Sequence, residues 1–123
     1  MSVSVELDEV RQQVAQCTSC AYLLTVTDDG RPHAVSVSAD WDGDHLVARV
    51  GRHSAANAGA RPRLSLLWPE AGRPGYALIV DGVAEIRAEG EAFHLLLRPT
   101  GAVLHRTPDP ESDGPSCIPV LGH

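Results

Sequence analysis

The stretch His45-Leu-Val-Ala-Arg-Val-Gly-Arg-His-Ser-Ala-Ala-Asn-Ala-Gly-Ala-Arg-Pro-Arg-Leu-Ser-Leu-Leu-Trp68 decides the fold. His45 to Val50 reads as a strand, and Gly51-Arg52-His53 breaks its pattern. Ser54 to Ala60 is short and alanine-rich, which predicts a helix capped by Ser54. Arg61-Pro62 ends that helix, because the residue before a proline disfavours helical backbone. Leu64 to Trp68 is again a strand. A helix N-terminus exposes unpaired backbone N–H groups and the positive end of the dipole, so it binds phosphate. Arg52 adds a forked donor suited to phosphate oxygens, Ser54 a hydroxyl and His53 a ring N–H, with Arg49 in reach from the strand. Spacing alone leaves a second reading open, in which Ser54 merely caps a surface helix and the arginines are solvated.

Working outward, Glu6 to Cys17 places Leu7, Val10, Val14 and Cys17 three or four residues apart, one face of a helix that Ser4 or Asp8 can cap. Ala21 to Thr27 is a strand ended by the turn Asp28-Asp29-Gly30. Pro32 to Trp41 alternates, with Ala34, Ser36 and Ser38 on one side and His33, Val35, Val37 and Ala39 on the other. Asp42-Gly43-Asp44 then turns the chain into the His45 strand, so the first three strands form a meander. Pro69 to Gly75 is a loop. Tyr76 to Arg87 is a long strand with Gly82 at a bulge or barrel corner. Phe93 to Leu97 and Ala102 to Arg106 read as one bent strand, broken at Pro99-Thr100-Gly101.

These signals predict a mainly β fold: a six-stranded antiparallel split barrel with two short helices. Closing or partly closing the sheet removes exposed edges, and the lack of helices between strands excludes a doubly wound α/β fold. Residues 1–106 are expected to form a single domain and 107–123 a loose polar tail. At 123 residues the chain is the size of one domain, and 43% hydrophobic with only 4% aromatic content requires a core of small aliphatics. All 10 basic residues are arginine, a mark of a GC-rich source. The net charge of −6 argues against nucleic-acid or anionic-membrane partners, so any anion must be held by a local cluster. The acidic first residues resemble no targeting peptide, and no run approaches the roughly 18 apolar residues of a membrane span; the cytoplasm is the expected location.

Four motifs in order carry a resemblance. They are Asp29-Gly-Arg-Pro-His-Ala-Val-Ser-Val37, Gly51-Arg-His-Ser-Ala-Ala-Asn57, Arg61-Pro-Arg-Leu-Ser-Leu-Leu-Trp-Pro69 and Asp81-Gly-Val-Ala-Glu-Ile86. Together, from about Ala21 to Arg87, the chain resembles the pyridoxamine 5′-phosphate oxidase-like superfamily of FMN-binding split barrels, in its short actinobacterial-type form. The resemblance implies a flavoprotein oxidoreductase with FMN as cofactor, acting on a small-molecule substrate that the sequence does not identify. It also implies a homodimer with the cofactor at the interface. By position, Arg52, His53 and Ser54 inherit the cofactor phosphate. Val35, Ser36, Val37 and Ser38 line the isoalloxazine edge through backbone groups, and Ala48, Arg49 and Val50 lie beside the ring or ribityl chain. Asn57 completes the cofactor motif. Ser54 stands where the family usually has lysine, and the chain shows no C-terminal substrate-phosphate segment, so oxidation of the vitamin is not expected. Related short barrels bind a deazaflavin coenzyme or haem, and some bind nothing. A deazaflavin-dependent reductase and a non-catalytic, cofactor-binding or apo dimer are therefore the alternatives.

Other chemistry is weaker. Cys17, Cys20 and Cys117, with His105 or His123, lack the second close pair of a zinc site, so no metal is expected and the cysteines read as small buried residues. His33, His45 and His94 read as strand residues rather than ligands, and Asp40, Asp42 and Asp44 as a turn rather than a calcium loop.

Overall fold

A computed structural model describes residues 2–17 and 20–107; the expected tail beyond Thr107 lies outside the described residues. The chain runs β1 (Ser2–Val5), a 3₁₀ turn (Leu7–Glu9), α1 (Val10–Ala15), β2 (Ala21–Val26), β3 (Pro32–Val37), β4 (Ala39–Asp42) and β5 (His45–Val50). It continues with α2 (Arg52–Ala60), β6 (Arg63–Trp68), β7 (Tyr76–Glu89) and β8 (Ala92–Arg106). The strands join one antiparallel sheet in the order β3-β2-β6-β7-β8-β5-β4, with β1 added along β8. The two ends, β3 and β4, are not paired with each other, so the barrel is split.

The mainly β class and the two short helices agree with the sequence reading, and the strand count rises from six to eight. One added strand comes from dividing Pro32–Trp41. Ser38 separates β3, which pairs with β2, from β4, which pairs with β5. The other is β1, whose partner Ala102–His105 lies at the far end of the described chain. The β4–β5 hairpin turns on Gly43 and Asp44, and only Gly43 has positive φ (61°), the requirement at the first central position of a type II′ turn.

Phe93–Leu97 and Ala102–Arg106 are two halves of a continuous β8. Asp81 pairs with Gly101 and Gly82 with Pro99, so Thr100 is the extra residue of a bulge. At this bulge β8 exchanges partners on its other edge, from β5 over Phe93–Leu97 to β1 over Ala102–His105. Pro99 falls in the gap between those partners, where its missing N–H costs no ladder bond.

Strand period sends Leu23, Leu46, Leu66, Leu78, Leu95 and Leu97 inward, where all are fully buried, and Val10 of α1 closes one end. α2 contributes Ala55 and Ala58, small enough to let its backbone approach the sheet. None of the described helices is long and apolar enough to cross a membrane.

Both described cysteines are free thiols. Cys17 is half-buried and donates to the Gln13 carbonyl at 3.3 Å, and burial pushes its thiol up to about 11. Cys20 is exposed. The thiolate is the reactive form, so in a Cys117→Ser background a small alkylating reagent near pH 8 should modify Cys20 well before Cys17. The Cys17 rate should keep climbing with pH past the usual thiol range. Peptide-resolved mass spectrometry reads both rates, and equal rates would contradict the burial of Cys17.

Candidate functional site

β5 ends at Val50, and α2 begins at Arg52 with extended Gly51 (φ −80°, ψ 175°) as its N-cap. The helix thus starts two residues earlier than the alanine-rich run suggests. Ser54 is its third residue, not its cap. Gly51 has no side chain to accept a hydrogen bond, and the first helical bond runs from the Ala55 N–H to the Gly51 carbonyl at 3.0 Å. The N–H groups of Arg52, His53 and Ser54 lie in the first turn, where no preceding helical carbonyl exists to receive them. Arg52 and His53 are exposed, whereas the Ser54 side chain is buried.

This turn faces β3 across a cleft of about 260 Å³. Its walls are His33, Val35, Ser36 and Val37 from β3, Arg49 and Val50 from β5, and Gly51 to Ser54. A second lobe of about 470 Å³ shares Arg49, Val50, Gly51 and Arg52 and continues to Glu91, Ala92 and Phe93. Eight of the residues expected at the cofactor meet here: Val35, Ser36, Val37, Arg49, Val50, Arg52, His53 and Ser54. Three do not line either lobe. Ser38 is exposed at the break between β3 and β4, and Ala48 lies in the core on the Leu46 face of β5. Asn57 is buried one turn into α2, where its amide donates to Thr25 Oγ1 at 3.1 Å.

Five lining residues are not among those expected at the site: His33 and Gly51 in the first lobe, the latter shared, and Glu91, Ala92 and Phe93 in the second. His33 was legible in principle, since strand alternation puts it on the same side as Val35 and Val37. A larger hollow of about 490 Å³ lies at the β7–β8 bulge, around Ser65, Asp81 and Thr100. Ser65 donates to the Asp81 carboxylate and Thr100 to the Asp81 carbonyl, and the exposed Arg63 also lines the hollow. Among the described residues no group of three or more His, Cys, Asp or Glu is placed to hold a metal; Cys117 and His123 lie outside them.

A family model described as pyridoxamine 5′-phosphate oxidase matches residues 7–118. An uncharacterized protein of Mycobacterium bovis is 35% identical over 105 residues, covering 75% of this chain and 74% of its own. A solved F420 reductase superposes with a TM-score of 0.60 at 21% identity, over 71% of this chain and 90% of that one. A FAD-binding protein from Mesorhizobium loti gives 0.60 at 15% identity, over 85% and 99%. At such identities the two structures bear on the fold alone.

Proposed function

Because the chain belongs to the pyridoxamine 5′-phosphate oxidase-like family, we propose that the β3–β5–α2 cleft holds FMN and that the protein is a cytoplasmic, flavin-dependent oxidoreductase of a small-molecule substrate. The observation that carries this reading is the first turn of α2. Its N–H groups, uncapped by any side chain, open beside Arg52 and Arg49 onto a cleft with apolar walls. Those donors suit a phosphate, and Val35, Val37 and Val50 suit a flat aromatic ring. Bound there, a flavin supplies hydride or single-electron exchange. The chain supplies the rest: Arg52, His53 and Ser54 hold the phosphate, the valines shield the ring from water, and the β3 backbone orients its edge.

A second reading is a deazaflavin, the class to which F420 belongs. It is favoured by Ser54, which adds no charge to the phosphate end, and by the continuation of the cleft past Arg52. FMN ends at its phosphate, whereas a deazaflavin coenzyme extends beyond it.

The homodimer reading finds support on the outer face of the sheet. Tyr22, Leu67, Ile79 and Val103 are successive cross-strand neighbours and form an apolar row over four strands, with Tyr22 41% exposed. Ser36, a cleft residue, is the next neighbour of Tyr22, so a second copy seated on the row would reach the cleft. Titrating purified protein with FMN, F420 and haem in turn, read by absorbance and by light scattering of the eluted species, tests both readings. Retention of FMN on a dimer is the expected result. Retention of F420 alone selects the second reading, and retention of haem alone or of nothing overturns both.

A further inference from the structure

Thr25 on β2 and His33 on β3 are cross-strand partners whose side chains both point to the inner side of the sheet. Thr25 is only 4% exposed and Asn57 of α2 8%, and the Asn57 amide donates to Thr25 Oγ1 at 3.1 Å. Thr25 Oγ1 also lies 3.4 Å from His33 Nδ1. A hydroxyl has one proton to give. The oxygen has a second lone pair, but if it accepted from Nδ1–H as well as from Asn57, the buried Thr25 proton would have no acceptor among the described residues; given to Nδ1, it is satisfied. A nitrogen that accepts it carries no hydrogen of its own, so the neutral ring bears its proton on Nε2. His33 lines the cleft, and its Nε2–H has no partner among the described residues.

We propose that the buried Asn57–Thr25 pair fixes His33 as its Nε2–H tautomer, and that this N–H is a preset donor to an acceptor atom of the ligand in the β3–β5–α2 cleft. Asn57 and Thr25 are positioning residues, and His33 makes the contact. This gives Asn57 a part in the site without touching the ligand, and it couples α2, which carries the phosphate end, to β3, which carries the ring end. The ligand half of the proposal rests on the flavin-type reading above; the tautomer half stands without it.

The tautomer is read directly from nitrogen-15 shifts of histidine-labelled, ligand-free protein at about pH 8, above the usual histidine range. The His33 signal is identified by its loss in His33→Phe. The expected result is a single Nε2–H form in the wild type, mixed tautomers in Thr25→Val, and recovery in Thr25→Ser. A wild-type ring protonated on Nδ1, or averaging between both forms, overturns the proposal and needs no variant to fold. With whichever of FMN and F420 the wild type retains, His33→Phe should weaken binding roughly three- to tenfold, the scale of one neutral hydrogen bond, and His33→Gln should recover part of it. Riboflavin separates the two possible acceptors: an equal loss places the contact on the ring, and a loss confined to FMN places it on the phosphate. Unchanged affinity in His33→Phe overturns the ligand half. If the wild type retains neither flavin, that half falls together with the proposed function, while the tautomer result is judged by itself.

Discussion

Replacing Gly82 by alanine is expected to destabilise the protein by roughly 2–3 kcal/mol, the upper range for overpacking a finished core. A Cβ at this position would overlap the Arg98 carbonyl oxygen and lie 2.8 Å from Leu97 Cδ1 and 2.9 Å from Leu97 Cγ. None of these atoms has room to yield. The carbonyl belongs to β8 beside the bulge, where Gly82 faces Pro99, and Leu97 is fully buried. Relief would require β7 and β8 to move apart at the point where β8 changes partners. A thermal melt should show a fall in Tm on the order of 10 °C. Gly101, across the same bulge, is the control. A Cβ there meets nothing within 4 Å and its φ is not positive, so Gly101→Ala should change stability by no more than about 0.5 kcal/mol. Equal effects of the two substitutions would show that the close packing at Gly82 is not what holds the bulge.

The same bulge shows what was legible in the sequence. A glycine in a long apolar run opposite Pro-Thr-Gly marked a distortion. Its consequence, the exchange of β5 for β1 along β8, involves contacts between opposite ends of the chain that no local pattern encodes. Ser2–Val5 is too short to show a period, and its fit depends on Ala102–His105. Within the site, the apolar face of β3 and the Arg52-His53 pair after Gly51 could be read directly. The start of α2 could not, because Ser54 is the stronger N-cap type and draws the reading away from Gly51, the residue that caps the helix; the turn is set by the end of β5 rather than by capping preference. Asn57 was assigned to the cofactor by resemblance. Its burial with Ser54, Ala55 and Ala58 marks the inner face of α2, and helical spacing alone would have placed it there.

Arg52→Ala is expected to weaken FMN binding by about tenfold to a hundredfold, while changing riboflavin binding little. Arg52 stands at the first position of α2 and lines both lobes of the cleft. A guanidinium beside free helical N–H groups makes charge-assisted hydrogen bonds to a phosphate, worth about 1.5–3 kcal/mol. Because Arg52 is exposed, solvent screens part of this, and the loss should shrink as salt is raised. Arg52→Lys keeps the charge without the fork and should fall between the wild type and alanine. The N–H groups of the first turn remain in every variant, so some selectivity for FMN over riboflavin should survive Arg52→Ala. Fluorescence titration with both flavins at low and high salt measures these differences. An equal loss for FMN and riboflavin would mean that Arg52 shapes the cleft rather than holding the phosphate. No loss for either would remove the phosphate from this end of α2.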